Sequence, residues 1–174
     1  MGKPYTAANA PVVTAALPGT TQWVKEAERY SGGALWNNGT FVNRDIRGKP
    51  GQISNHARGI AMDLSYRRIE ATKKGVPDGR AKSLQFINAC VANWETLGIM
   101  LIIDYWPADF GRSWRCDRAT TEPKKAWRKA LTKTFTGAPG GDWWHVEITP
   151  ELANDPEQVK QVFARVFGVS TTTV

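Results

Sequence analysis

Two stretches of strict alternation, residues 60–65 and 143–148, constrain this chain more than any other feature. In the first, Ile60, Met62 and Leu64 share one side while Ala61, Asp63 and Ser65 share the other. In the second, Trp144, Val146 and Ile148 oppose Trp143, His145 and Glu147. A period of two marks half-buried strands. If they neighbour each other in one antiparallel sheet, Asp63 and His145 project into the same space. His56 then enters from the loop before the first strand, where Gly59 eases the turn.

The chain has only 2 histidines, and both lie in these stretches or beside them. Two imidazoles and a carboxylate are the donor set of a catalytic zinc site, which takes three protein ligands and leaves a fourth position open. His56, Asp63 and His145 are therefore the candidate metal ligands. A loop histidine alone carries little weight; the pairing of both histidines with Asp63 carries the argument. An unpartnered carboxylate on an apolar strand is costly, so Asp63 needs a metal or a basic partner such as Arg58 or Arg67.

Ser54-x-His56-x-x-Gly59-x-Ala61-x-Asp63, followed much later by Asp142-x-x-His145 with tryptophans between, resembles the D-Ala-D-Ala metallopeptidases. These are zinc peptidases of bacterial cell-wall stem peptides, phage endolysins among them. Every fixed position of the first motif is present; the second departs from the usual Glu-x-x-His in having Asp142. The resemblance spans roughly residues 20–150 in order and spacing. It implies zinc held by His56, Asp63 and His145, and Asp142 as general base. It also implies an upstream arginine, assigned to Arg47, that stabilises the oxyanion. Arg44 and Arg58 compete for that role.

Strand parity argues differently about the base. Glu147 shares the face of His145, whereas Asp142 reaches it only if Gly140 and Gly141 bend the chain; Asp142 otherwise caps a turn. The resemblance favours Asp142, and the expectation follows it. Substrate contacts are expected at Ser54 and Trp143. Of the 8 tryptophans, most, including Trp94, are expected in the core, while Trp106, Trp114 and Trp143 are candidates for the cleft wall.

At 174 residues the chain suits one domain with a substantial core. The longest apolar run, 99–103, is far too short to cross a membrane, and the amino terminus lacks a signal-peptide pattern. A balance of 23 basic to 16 acidic residues, net +7, fits either a solvated surface or attraction to a polyanion such as a wall polymer. The 2 cysteines, Cys90 and Cys116, make no disulfide framework; Cys90 reads as core, and a pairing with Cys116 stays open.

Residues 1–19 read as an irregular arm, 20–168 as the catalytic domain, and 169–174 as a tail that could begin a linker. Helices are expected from Thr20 or Thr21 to Tyr30, over 80–97 with Leu84, Ile87, Val91 and Trp94 on one face, and over 155–167. A short strand or turn is expected around 40–42, a loop over 67–79, a central strand over 99–104, irregular chain over 105–119, and a basic helix or surface excursion over 122–135. Residues 137–141 form a flexible lead into the second motif. The fold class is α+β: a small antiparallel sheet with helices packed on one side and zinc in a cleft on the sheet.

The functional expectation is a zinc-dependent peptidase acting on a peptide bond of the peptidoglycan stem, as a monomer with no nucleic-acid partner. Such a protein would be made in the host cytoplasm without a signal peptide and act on the wall after release. Two alternatives stand beside it: a D,D-carboxypeptidase or dipeptidase on small wall precursors, and a wall-polymer or nucleic-acid binding module with a non-catalytic zinc.

Overall fold

The computed structural model describes residues 3–106, 111–122, 125–129 and 141–168. Its centre is a six-stranded antiparallel sheet. The strands are β1 (Trp36–Gly39), β4 (Ala61–Ser65), β8 (Trp143–Ile148), β5 (Ile99–Asp104), β6 (Arg112–Arg115) and β7 (Trp127–Lys129), in that spatial order. β2 (Asp45–Ile46) and β3 (Lys49–Ile53) form a separate hairpin.

The two alternating stretches are neighbours. Asp63 pairs with His145 and Met62 with Val146, and on the other side of β8 Ile103 pairs with His145. The pleat then sorts the side chains. Met62, Leu64, Met100, Ile102, Trp144, Val146 and Ile148 are buried in the core. Asp63, Leu101, Ile103, His145 and Glu147 turn to the opposite face, where they line a cleft.

The helices α1 (Pro18–Tyr30), α5 (Pro150–Asn154) and α6 (Pro156–Phe167) pack together, and α1 also meets β4. Trp23, Phe86 and Phe163 supply edge-on and stacked ring contacts in this core, 5.0–6.4 Å between centroids. Asp155 caps α6 by accepting the Gln158 N–H at 2.9 Å.

α3 (Arg80–Ala92) stops before 97; of the expected face Ile87 is buried, and Leu84, Val91 and Trp94 pack partly buried against the core beside the buried Phe86 and Cys90. Ser83 joins the buried residues, its hydroxyl accepting the Trp144 indole N–H at 3.1 Å. The segment expected as a loop contains α2 (Arg68–Lys74), whose single buried residue, Ala71, gives it no apolar stripe. The first strand lies at 36–39, ahead of 40–42. Residues 105–119 include β6 and α4 (Cys116–Thr121), and Trp114 is a core residue at 1% exposure, not a cleft wall. The segment expected as a basic helix or surface excursion over 122–135 holds β7 at 127–129; residues 123–124 and its part beyond 129, like 137–140 and the tail from 169, lie outside the described residues. Cys90 and Cys116 are both free and buried.

The amino-terminal arm is fastened along its length. Ala7 and Ala10 are buried, Arg58 donates to the Ala10 carbonyl, and the Val13 N–H donates to the Ala57 carbonyl at 2.9 Å. No described helix is long and apolar enough to cross a membrane.

Candidate metal centre

His56 sits in the turn between β3 and β4. Ser54 builds that turn: its carbonyl accepts the Ala57 N–H at 2.9 Å and its hydroxyl accepts the His56 N–H at 3.3 Å. The Gly59 N–H closes onto the His56 carbonyl at 3.0 Å with φ +70°, a left-handed conformation that favours glycine. Thus the first motif folds His56 back over the start of β4, toward the strand that carries Asp63.

His56, Asp63 and His145 each offer one donor atom, and the three atoms lie within 4.8 Å of one another. The group could hold a metal ion. Asp63 Oδ1 is 2.9 Å from His145 Nδ1 and 3.4 Å from His56 Nε2, and the imidazole centroids are 5.0 Å apart. The histidines are buried, while the Asp63 side chain keeps 21% exposure toward the cleft.

The other edge of His145 is held as well. Its Nε2 is 3.0 Å from Glu147 Oε1, and Glu147 also accepts from Tyr5 Oη at 2.6 Å and Asn55 Nδ2 at 2.8 Å. A ring whose Nε2–H is donated to Glu147 presents Nδ1 beside Asp63 and His56. That carboxylate–histidine arrangement fixes the tautomer of a metal-binding imidazole, so the donor set fits a divalent ion such as zinc.

The electrostatics of the group follow from these contacts. Burial alone would lower the His145 pKa, but hydrogen bonds to Asp63 and Glu147, and their charges, outweigh it and raise it from 6.5 to about 10. Burial pushes Asp63 and Glu147 up, yet their contacts with the histidines or with His145 hold both below the usual carboxylate range. Burial, reinforced by Glu147, pushes the Tyr5 hydroxyl well above its ordinary value and keeps it a donor.

The cleft has a volume of about 700 Å³. The three candidate ligands and Glu147 sit in it, with Ser54, Trp143 and Tyr105; the last two rings are 5.5 Å apart. Arg44, with Arg47 and Lys49 of the β2–β3 hairpin, adds positive charge to its lining. Ser54 and Trp143 are thus at the cleft, with Ser54 engaged in shaping the His56 turn. Trp106 is not among the lining residues; the Arg68 guanidinium stacks over its ring, 3.8 Å from the centroid.

Asp142 is placed elsewhere. Its Oδ2 accepts the Ile69 N–H at 2.9 Å in the first turn of α2, and it does not line the cleft. The reason is parity. The Tyr66 N–H donates to the Asp142 carbonyl at 2.9 Å, extending the β4–β8 ladder one step beyond the strands. Without a bend at Gly141, residue 142 stays on the side opposite His145. Among the described residues, Asp63 and Glu147 are the carboxylates of the cleft lining.

Sequence reasoning missed Tyr5 and Asn55 at this site. Asn55 lies inside the first motif at a position free to vary, and Tyr5 is brought in by an arm without a periodic pattern. Comparison of the chain with family models, with curated proteins and with solved structures gives no match.

Proposed function

We propose that the chain is a metal-dependent peptidase, with zinc as the ion and a peptide bond of the bacterial peptidoglycan stem as its target. The observation that carries the reading is the convergence of His56, Asp63 and His145 at the floor of an open cleft, with His145 locked from behind by Glu147. Three protein donors among the described residues, rather than four, suit an open centre better than a closed structural site. The first-motif resemblance supplies the substrate class.

His56, Asp63 and His145 would hold the ion. When bound, it supplies Lewis-acid polarisation of the scissile carbonyl and a water acidic enough to react near neutral pH. The remaining work falls to the chain. Glu147 keeps the His145 ring in register, and it is assigned the proton-accepting role in place of Asp142. Three of its roughly four lone-pair positions are already occupied, leaving one on Oε2. Arg47, with Arg44 and Lys49, gives the rim positive charge that draws a carboxylate-bearing peptide and stabilises developing negative charge. Trp143 and Tyr105 form the apolar wall against which the peptide lies.

The test is lysis of purified cell walls. Activity should vanish on chelation and return on adding zinc to stoichiometry. Lysis that persists through exhaustive metal removal contradicts the proposal.

A further inference from the structure

We propose that Tyr5, carried by the amino-terminal arm, is a positioning residue of the metal centre that acts through Glu147. The inference rests on the metal-binding reading above. Tyr5 itself lies outside both motifs.

Tyr5 reaches the centre across nearly the whole chain. Its hydroxyl donates to Glu147 Oε2 at 2.6 Å and accepts from Asn55 Nδ2 at 3.2 Å. Asn55 uses the same amide nitrogen toward Glu147 Oε1 at 2.8 Å. The oxygen that meets His145 is therefore steadied by Asn55, and the other oxygen is steadied by Tyr5. Glu147 is 3% exposed, so water cannot readily replace a lost donor, and a carboxylate with one oxygen unsatisfied would rotate to find another. Any such rotation moves Oε1 away from His145 Nε2 and loosens the ring that carries Nδ1.

The arm is built to deliver this hydroxyl. The Arg115 guanidinium lies over the Tyr5 ring, 5.1 Å from its centroid. The Cys116 thiol contacts the Pro4 carbonyl at 3.8 Å, and the Thr6 hydroxyl contacts Met100 Sδ at 3.8 Å. The arm is thus held by its neighbours on both sides of Tyr5, and the Tyr5 hydroxyl carries it to Glu147. Outer partners of a metal-binding histidine are worth about 10–100-fold in metal affinity. Tyr5 is one step further out and belongs at the lower end of that range.

The experiment measures zinc dissociation constants by chelator competition for the native protein, Tyr5→Phe and Thr6→Ala. Tyr5→Phe keeps the ring and its contact with Arg115 while deleting the donor. Thr6→Ala removes a neighbouring arm contact that does not touch Glu147. Tyr5→Phe should weaken zinc binding about tenfold, with Thr6→Ala unchanged. A cobalt-substituted sample should also show an altered ligand-field spectrum in Tyr5→Phe alone, a signature that a purely structural role of the arm would not give. Equal affinities in native protein and Tyr5→Phe overturn the proposal, as does an equal loss in both variants. Failure of the native protein to bind zinc is a different result: it removes the metal reading itself.

Discussion

Asp63 and His145 face each other across the β4–β8 ladder, with Oδ1 2.9 Å from Nδ1. The Asp63 and Glu147 carboxylates outweigh burial and favour the protonated form of His145, raising its pKa to about 10. A metal must displace the proton from the nitrogen it binds. The sign follows: below the raised pKa, each step up in pH removes a competing proton, so affinity rises with pH. Zinc affinity should climb by about tenfold per unit between pH 7 and 9, with close to one proton released per ion. Calorimetry in buffers of different ionisation enthalpy counts that proton. Affinity that is flat across the window contradicts the protonated, doubly paired His145.

On the proposed reading Glu147, which lines the cleft, accepts the proton in place of Asp142, which does not line it. Glu147→Gln should weaken zinc binding by about 10–100-fold, since it disturbs the partner of His145 Nε2. At matched zinc occupancy it should still lose turnover, by about 10²–10⁴-fold. Asp142→Asn keeps an oxygen that can accept the Ile69 N–H, so it should keep zinc, turnover and nearly all of its stability, because Asn and Asp cap about equally well. Turnover and chelator competition measured on both variants decide it. An inactive Asp142→Asn beside a near-native Glu147→Gln would restore Asp142 as the base.

These residues show what could be read from the chain and what could not. Alternation places Asp63, His145 and Glu147 on one face without any knowledge of the fold, because a strand has one period and two sides. The same parity rule excluded Asp142 unless the chain bent, and the structure kept the parity. What lay beyond reach depends on partners distant in sequence. α2 has no apolar stripe, and its first-turn N–H at Ile69 is satisfied by Asp142. Ser83 is in the core because of Trp144. Tyr5 matters because of Glu147. None of these contacts leaves a periodic trace.

Gly59 ties the first motif to the fold. Its φ is +70°, and a Cβ there would come within 2.6 Å of Leu17 Cγ. Gly59→Ala should therefore destabilise the protein by about 1–3 kcal/mol, seen as a lower thermal midpoint, and it should weaken zinc binding by shifting the His56 turn. An unchanged midpoint would mean that the turn relaxes freely and does not set the position of His56.

The most direct test of the central claim is the chemistry of the fragments. Purified peptidoglycan from several wall types is digested with the zinc-loaded protein and with His145→Ala, and the products are weighed and end-labelled. New amino termini on stem-peptide fragments are expected, with no new reducing sugar ends and none of these products from His145→Ala. New reducing ends, or identical products from His145→Ala, would contradict a peptidase centred on His56, Asp63 and His145.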